Sequence, residues 1–471
     1  MQALCTALPD GMLPSNIPEE VYEVIMKYET TYKLENFILN TNWADLPLNV
    51  RERIKGCFVD LTGALITGSR SDQFKVGLKL AEEVFGTGNI PVVGSDRTFC
   101  FIGAAAAMGH ASNAYDIDDG HNLIRAHPGT SVVGPILAAA LEKDASRNEF
   151  LTALLMGYET TIRSGIAIMD YYSNPHSSGT FAPTGIAAGV GRLYGFSKEQ
   201  LNNCISIAEF NAPLVAGSRS TEYPSMNKDG VPFGTMIGAL AVKEQLAGFT
   251  GNKNLLESEK YNYLLDDLGK HYQVMDLYFK PYSCCRWAHP AIDACLILMR
   301  ENGLTSEDIE TVRIETFLNA TRLSKIVPLT ADEAQYNIAY PVAAALVYQD
   351  FGIAQVHETA IPDPDVVKMM DKLIFVEDPA LTARFPAHRI CRAVITTKSG
   401  ESFTSPDCEP RGEACENISL EWLCEKFRRI TAPVFTKEGQ DSVLSMLCGD
   451  EDLPIREIVR EINCPEYRIE L

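Results

Sequence analysis

Residues 101–114 read FIGAAAAMGHASNA and residues 131–142 read SVVGPILAAALE, and these two stretches decide the fold. The first is rich in alanine and glycine, which suits helices that pack closely together. The second is apolar nearly all round, which predicts a buried helix. Further helical patterns lie at 149–169, 198–209 and 233–247, and a Ser197–Gln200 capping box precedes the second of these. Because strand signals are few before residue 270, the sequence predicts a large all-helical domain over residues 31–270.

The pattern changes near residue 271, where alternation with a period of two appears. TVRIETF (311–317) and RICRAVITT (389–397) are strand candidates, and the second turns at Ser399–Gly400 into ESFTS. Helical patterns lie between them, around 289–302, 335–350 and 364–372. The sequence therefore predicts a smaller inserted α+β domain over residues 271–408. We expect residues 409–471 to pack against the first, helical domain again. The fold class is mainly α, and residues 1–30 are expected to be a loose leader.

The charge and composition of the chain exclude several classes of partner. A net charge of −21 over 471 residues argues against nucleic acid, which needs a basic face, and against an anionic membrane surface. A small anionic substrate stays compatible, because a few cations can reverse the potential inside a cleft. No stretch approaches about 18 uninterrupted apolar residues, so no membrane span is expected. Thirteen cysteines without a disulfide-like pattern, and no secretory signal, predict a cytoplasmic protein.

The loop between the two opening stretches carries the chemistry. Residues 111–129 read ASNAYDIDDGHNLIRAHPG and hold the acids Asp116, Asp118 and Asp119 and the histidines His121 and His127. Acids and imidazoles on a loop between helices form a candidate proton-transfer site, although a solvated acidic turn has the same composition. The acids could also form an oxygen-rich site for magnesium or manganese. The loop lacks the ligand spacing of a known metal motif, so we predict no metal.

Other titratable residues stand in unusual surroundings. His176 lies in the loop NPHSSGTFAPTG, where a structural histidine is the more frequent case. Lys228 lies in PSMNKDG before an apolar helix, where a lysine is usually a solvated turn residue. Residues 278–294 place Lys280, Arg286 and His289 among aromatic residues and prolines, which suits a carboxylate pocket or an amphipathic domain edge. No phosphate loop and no nucleophile elbow occurs in the sequence.

In this order along residues 32–466, these segments resemble the MmgE/PrpD family, which includes 2-methylcitrate dehydratase and cis-aconitate decarboxylase. The matching features are Asp116-Ile-Asp118-Asp119 ahead of His127, His176 fifteen residues before Gly191-Arg-Leu-Tyr-Gly195, Lys228, the segment Lys280–Ala294, Tyr340 and Asn463-Cys464-Pro465. The resemblance implies a large helical domain, a smaller α+β lid domain, an active site in the cleft between them, and a homodimer.

The resemblance also implies roles for single residues. Lys228 and Lys280 would hold carboxylates of the substrate, and His127 and His176 would move protons at a carbon next to a carboxylate. Asp116 would orient a histidine or act as acid or base, and Tyr340 would donate to a leaving hydroxyl or an enediolate. We also predict His289, Gly120 and His121 as substrate-binding positions, although His121 is more typically a solvated loop residue. Relatives often carry threonine or tyrosine at Gly120, and some carry histidine at Cys285, so these departures bear on the substrate.

The sequence therefore predicts a cofactor-independent lyase similar to 2-methylcitrate dehydratase. It would act on a small di- or tricarboxylate, by proton transfer next to a carboxylate. Enzymes similar to cis-aconitate decarboxylase or iminodisuccinate epimerase on the same scaffold are the alternatives, because each reaction begins at a carbon beside a carboxylate. A non-catalytic helical binding protein is a third possibility, and it predicts that the histidines and lysines do not converge in space.

Overall fold

Helices dominate the computed structural model, which describes residues 30–172 and 177–470. The leader expected at residues 1–30 lies outside the described residues, apart from Thr30. The first part of the chain forms α1 (Lys33–Asn40), α2 (Leu48–Gly68), α3 (Asp72–Leu80), α4 (Phe101–Ser112), α5 (Pro128–Glu142), α6 (Arg147–Tyr172), α7 (Ser178–Leu193), α8 (Lys198–Phe210), α9 (Gly217–Glu222) and α10 (Val231–Leu246). The predicted mainly α fold class is confirmed.

Small residues allow these helices to approach one another closely. The alanines of α4 and of α5 are fully buried, as the apolar stretches predicted. Helix α2 meets the end of α4 at Gly68, where a side-chain Cβ would overlap the carbonyl oxygen of Ala111. Helix α8 begins at the predicted capping box, in which Ser197 and Gln200 satisfy each other's backbone N–H groups. None of the helices among the described residues is both long and apolar enough to cross a membrane.

The first half of the chain also holds three short strands, β1 (Thr87–Pro91), β2 (Thr98–Phe99) and β3 (Asp119–His121). Strands β1 and β2 pair with each other. Strand β3 pairs antiparallel with β4 (Leu277–Phe279), with Gly120 opposite Tyr278. This pairing joins the acidic loop to a segment about 160 residues later in the chain. It therefore brings Lys280 beside the loop.

Strands and short helices alternate after residue 280. The helices are α11 (His289–Asn302), α12 (Leu318–Thr321), α13 (Ala331–Gln335), α14 (Ala339–Tyr348), α15 (Ile353–Val356), α16 (Pro364–Met370) and α17 (Pro379–Arg384). The strands are β5 (Ile309–Thr316), β6 (Leu373–Glu377), β7 (Cys391–Thr397) and β8 (Ser402–Thr404), which form one sheet in the order β6-β5-β7-β8. Strand β5 pairs parallel with β6 and antiparallel with β7, which in turn pairs antiparallel with β8. The three strands predicted from the sequence are β5, β7 and β8.

The chain ends in helices that pack against its beginning. Helices α18 (Leu420–Thr431) and α19 (Lys437–Cys448) both contact α2, and α20 (Ile455–Ile462) contacts α5. Ser419 caps α18 by accepting a hydrogen bond from the backbone N–H of Trp422. The division into a helical domain over 31–270, an α+β domain over 271–408 and a returning segment over 409–471 stays a prediction.

Candidate active site

The acidic loop is buried rather than solvated. Helix α4 ends at Ser112, and α5 begins at Pro128, whose fixed φ suits the first position of a helix. Between them Asp116 adopts a left-handed backbone conformation with φ 51°. Asp116, Asp118 and Asp119 are all at most 2% exposed, and His127 is 6% exposed. Because these side chains are buried, the loop is not a solvated acidic turn. Buried charged groups need partners, so these acids must contact cations or hydrogen-bond donors.

Carboxylates surround the imidazole of His127. Its Nδ1 lies 2.9 Å from Oδ2 of Asp118, and its Nε2 lies 3.3 Å from Oδ2 of Asp229 and 3.6 Å from Oδ1 of Asp116. Burial and the nearby Lys280 ammonium act to lower the pKa of His127, but the Asp118 and Asp229 carboxylates outweigh them and raise it well above its ordinary value. His127 is therefore held as an imidazolium, which can donate a proton.

Lys280 supplies a second cation to the same cluster. Its Nζ lies 2.6 Å from Oδ1 of Asp116 and donates to the backbone carbonyl of Asp116 at 3.1 Å. Burial acts to lower the pKa of Lys280, but the Asp116 and Asp118 carboxylates raise it above its ordinary value. Gly120 permits this arrangement, since a Cβ at that position would overlap the ring of Tyr278 across the β3–β4 pair. Gly120 thus serves packing of the loop.

Lys228 links the loop to α13. Its buried Nζ lies 2.8 Å from Oδ1 of Asp332, donates to the carbonyl of Ala114 at 2.7 Å, and donates to Oε1 of Gln335. The side-chain amide of Gln335 donates to the same Ala114 carbonyl at 3.1 Å. These contacts occupy all three ammonium N–H groups, so in this conformation a substrate carboxylate reaches Lys228 only by displacing one of them.

Two further residues of the cluster, Asp229 and Tyr336, escaped sequence analysis, while Cys285 was named there only as a departure from relatives. Asp229 follows Lys228 directly. Nothing in the sequence indicated that both residues are buried, so Lys228 was interpreted as a solvated turn residue and Asp229 was not considered. Tyr336 is buried, its hydroxyl has no hydrogen-bond partner among the described residues, and burial together with Asp229 and Asp116 raises its pKa well above the ordinary value. Burial raises the pKa of Cys285 to about 12, against the opposing effect of Lys280. Tyr336 is therefore a protonated hydroxyl facing carboxylates.

Comparison with known families and proteins now places the chain. A model of the MmgE/PrpD N-terminal domain matches residues 32–266, and a model of the MmgE/PrpD C-terminal domain matches residues 282–447. The chain belongs to the MmgE/PrpD family. The acidic loop, His127 and Lys228 lie in the first matched range and Tyr336 in the second, while Lys280 lies between the two ranges.

Curated relatives align with the chain along most of their length. A cis-aconitate decarboxylase-like protein of Aspergillus oryzae, oryM, is 26% identical over 462 residues, covering 88% of this chain and 94% of that protein. The cis-aconitate decarboxylase of Homo sapiens is 22% identical over 438 residues, covering 86% and 88% respectively. With both family domains present, this MmgE/PrpD protein is an enzyme of the lyase class, a dehydratase or a decarboxylase.

Two other predicted site residues of this MmgE/PrpD protein, Tyr340 and His289, make their hydrogen bonds to residues outside the His127 cluster. The Tyr340 hydroxyl accepts a hydrogen bond from the backbone N–H of Asp363 at 3.4 Å, and its ring packs against Phe351. His289 donates from Nε2 to the carbonyl of Cys284 at 3.1 Å, and its Nδ1 faces Arg286. Burial and the positive charge of Arg286 lower the pKa of His289 well below the ordinary value. His289 is therefore a neutral group satisfied by the protein. His176 lies outside the described residues.

His121 differs from the solvated loop residue that its position suggested. It is 1% exposed within β3, and burial lowers its pKa to about 4. Neither ring nitrogen has a hydrogen-bond partner among the described residues. The expectation of a solvated side chain was wrong because β3 pairs with β4 and covers the imidazole. His121 is a neutral ring at neutral pH.

One set of side chains in the cluster has the elements of a metal site. Asp116, Asp118 and His127 each offer a ligand atom within 4.8 Å of the others. One observation opposes a divalent cation there. The Asp116 oxygen that would bind already pairs with the Lys280 ammonium at 2.6 Å. The donor set fits an internal network of ion pairs better than it fits a cation.

Proposed function

We propose that the enzyme is a cofactor-independent lyase of a small di- or tricarboxylate that transfers a proton at a carbon next to a carboxylate. The observation that carries the proposal is the buried imidazolium of His127, held between Asp118 and Asp229 beside the Lys280 ammonium. This arrangement supplies a proton donor and positive charge at one point. Reaction at a carbon beside a carboxylate develops negative charge there, which such groups stabilise.

Decarboxylation of an unsaturated tricarboxylate similar to cis-aconitate is the first candidate. The relatives at 26% and 22% identity are named for this activity. The chemistry needs one proton, delivered by His127 to an alkene carbon, after which the bond to the departing carbon dioxide breaks and its electron pair forms the new double bond. The protonated imidazole of His127, paired with the Asp118 and Asp229 carboxylates, provides that proton.

Dehydration of a hydroxylated tricarboxylate similar to 2-methylcitrate, the reaction predicted from the sequence, is the second candidate. It requires both a base for the proton beside the carboxylate and an acid for the leaving hydroxyl. The observation that favours it is the Tyr336 hydroxyl, buried without a hydrogen-bond partner among the described residues and kept protonated by its surroundings. Epimerisation uses the same first step with no leaving group.

A substrate panel in deuterated water distinguishes these reactions. The purified enzyme is incubated with 2-methylcitrate, citrate, cis-aconitate and iminodisuccinate, and each mixture is followed by NMR. Carbon dioxide release from cis-aconitate identifies the decarboxylase, alkene formation from a hydroxy acid identifies the dehydratase, and deuterium exchange without net loss identifies the epimerase. A parallel arm with exhaustive chelation tests cofactor independence, and we expect activity to survive. No reaction with any substrate, with wild type and His127→Ala equally inert, would favour a binding protein.

We also propose that the protein is a cytoplasmic homodimer. Helix α10 carries the exposed apolar residues Phe233 and Leu240, which lie two turns apart on one face, and Phe210 is exposed at the end of α8, which packs against α10. An apolar face of this kind is typical of an interface, and a second copy of the chain is the partner that the family resemblance implies. Sedimentation equilibrium should give a dimer that Leu240→Glu weakens, whereas Leu48→Glu, exposed on α2, should leave the mass unchanged. A monomeric wild type would contradict the proposal.

A further inference from the structure

Two cysteines that the candidate active site does not use face each other on the terminal helices. Cys424 lies in the second turn of α18, and Cys448 is the last residue of α19. Their sulfur atoms are 3.6 Å apart, within hydrogen-bond distance of one thiol to the other. Both side chains are partly exposed. The hairpin of α18 and α19 therefore holds two accessible thiols in contact.

Basic groups lie near this thiol pair, although Arg428 pairs with Asp441, Lys55 pairs with Asp450, and Glu421 and Glu425 act to raise the pKa of Cys424. The Lys55 ammonium donates to the carbonyls of Cys448 at 3.3 Å and Gly449 at 3.1 Å, and the Arg147 guanidinium donates to the carbonyl of Met446 at 2.6 Å. Arg428 lies one helical turn after Cys424 on α18. Positive charge around a partly exposed thiol favours the thiolate, which is the reactive form of cysteine.

The two thiols have different chemical roles. A hydrogen bond from the Cys448 thiol, together with the Arg428 guanidinium, lowers the pKa of Cys424 below its ordinary value. Donation of the same hydrogen bond and burial raise the pKa of Cys448. Either sulfur can donate across the 3.6 Å contact, and with Cys448 as the donor Cys424 becomes the attacking thiolate and Cys448 the thiol that resolves the oxidised sulfur.

Other cysteines provide a contrast within the same chain. Cys391 and Cys284 are fully buried, and burial raises their pKa values well above the ordinary value. Cys415 is exposed, but in the described part of the chain no hydrogen bond joins it to a second thiol. Among the described cysteines, Cys424 and Cys448 combine partial exposure of both side chains with a thiol–thiol hydrogen bond.

We propose that Cys424 and Cys448 form a modification site at which a hydroperoxide reversibly oxidises the dithiol to a disulfide. The Cys424 thiolate attacks the outer oxygen of the hydroperoxide, the O–O bond breaks, and the leaving alkoxide or hydroxide takes a proton. The Cys448 sulfur then attacks the Cys424 sulfenic acid, and water leaves. The two thiols lose two electrons and two protons in total, and the hydroperoxide is reduced to an alcohol, or water, plus water.

The cross-link would join α18 to α19 close to a residue that supports the acidic loop. Lys426, two positions after Cys424, donates to the carbonyl of Ile117 at 2.6 Å. A disulfide between residues 424 and 448 closes a loop of the unfolded chain, which lowers the entropy of the unfolded state. Oxidation should therefore raise the thermal unfolding midpoint of the enzyme, whichever reaction the active site carries out.

Peptide mapping of the full-length reduced enzyme tests the site. The protein is treated with equimolar hydrogen peroxide, the remaining thiols are alkylated, and the digest is analysed by mass spectrometry without reduction. We expect a cross-linked pair of peptides containing Cys424 and Cys448, with the mass of two hydrogen atoms lost, while Cys415 stays alkylated. The unfolding midpoint should rise on oxidation and return after treatment with dithiothreitol.

Matched variants assign the roles. In Cys448→Ser the sulfenic acid at Cys424 cannot be resolved, so dimedone should label Cys424, whereas Cys424→Ser should show neither label nor cross-link. Cys415→Ser should behave as wild type. Oxidation of wild type that modifies Cys415 before Cys424, or that yields no cross-link between Cys424 and Cys448, would overturn the proposal even if both serine variants fold poorly.

Discussion

At the residue scale, the state of His127 follows from what surrounds it. Burial without a carboxylate partner favours the neutral ring: burial lowers the pKa of His121 to about 4, and burial together with the Arg286 guanidinium lowers that of His289. His127 differs because Asp118 and Asp229 lie at its two ring nitrogens. The same interaction holds the pKa values of both carboxyl groups below the ordinary value, although their burial acts in the opposite direction. His127, Asp118 and Asp229 are therefore all ionised at neutral pH.

Replacing His127 tests its catalytic role. We expect His127→Ala to lower kcat by roughly 10²–10⁴-fold, the usual contribution of a positioned proton donor, with the fold intact by circular dichroism. His121→Ala is the matched control, because that imidazole is buried in the same loop but is neutral. It should have a smaller effect on kcat. A near-normal kcat for His127→Ala would remove it from the mechanism, and an inactive but folded His121→Ala would move the proton transfer to that residue.

Lys228 has two interpretations that a paired experiment separates. It was predicted to bind a substrate carboxylate, yet its ammonium already contacts Asp332, Gln335 and Ala114. If Lys228 also binds substrate, Lys228→Met should chiefly raise KM, and Asp332→Asn should lower KM because it leaves the ammonium more available. If Lys228 serves only as a tether to α13, both variants should raise KM together. Steady-state kinetics of the two variants decides between these outcomes.

At the element scale, α18 and α2 support the acidic loop from behind. Lys426 on α18 pairs with Asp60 on α2 at 2.5 Å and donates to the carbonyl of Ile117, the residue between Asp116 and Asp118. Both side chains are fully buried, so burial raises the pKa of Asp60 to about 6 and lowers that of Lys426. The returning end of the chain therefore positions the residues that hold His127.

Breaking this ion pair should cost stability, and removing both charges should restore much of it. Lys426→Met leaves Asp60 buried and unpaired, so we expect the free energy of unfolding to fall by about 3–5 kcal/mol. Lys426→Met combined with Asp60→Leu should recover most of that loss, because two apolar groups need no partner. We expect kcat to fall in both variants, because the Ile117 carbonyl loses the hydrogen bond that Lys426 donates. Urea unfolding and kinetics of both variants test this, and full activity in the double variant would contradict a positioning role.

The elements of this fold were predictable wherever their signal is local. Strands β5 and β7 alternate with a period of two, and the capping box of α8 lies within four residues. The pairing of β3 with β4 was not predictable, because two three-residue strands far apart in sequence carry no local pattern. Strand β6 was missed because Leu373–Glu377 is a short, nearly continuous apolar run without the alternation that marks β5 and β7. The same limit applies to the site: the composition of the acidic loop pointed to His127, whereas Asp229 and Tyr336 join it only through tertiary contacts.

Tyr336 and Tyr340, four residues apart, show how far sequence spacing can identify the tyrosine that faces the site. The resemblance to the MmgE/PrpD family points to Tyr340, in the first turn of α14, and its catalytic role stays a prediction. The Tyr336 hydroxyl is the one influenced by Asp116 and Asp229. Spacing along a sequence identifies a segment, but the direction of each side chain depends on how α13 and α14 pack.

At the scale of the whole molecule, the chain is strongly acidic but collects cations at one buried point. The net charge is −21, yet Lys228, Lys280 and the imidazolium of His127 gather around the acidic loop. Each of these cations is paired with a carboxylate of the protein. A substrate carboxylate would take the place of one of these partners, because an unpaired buried charge is costly. On the proposed function, binding would therefore exchange ion pairs rather than fill an empty site.

That exchange requires the molecule to open. His127, Lys228 and Lys280 are at most 6% exposed, so a di- or tricarboxylate can reach them only if the predicted lid region, which contributes Lys280, separates from the helices that carry the other two. We expect small-angle scattering of the free enzyme to include a more open form than the closed arrangement described above, and a bound polycarboxylate to shift it towards closure. Hydrogen exchange should slow at the same time in residues 113–127 and around Lys280. The variant Lys280→Met, which loses the cation shared by substrate and loop, should not close. Identical scattering and exchange with and without ligand, in an enzyme that turns over, would show that substrate enters by another route.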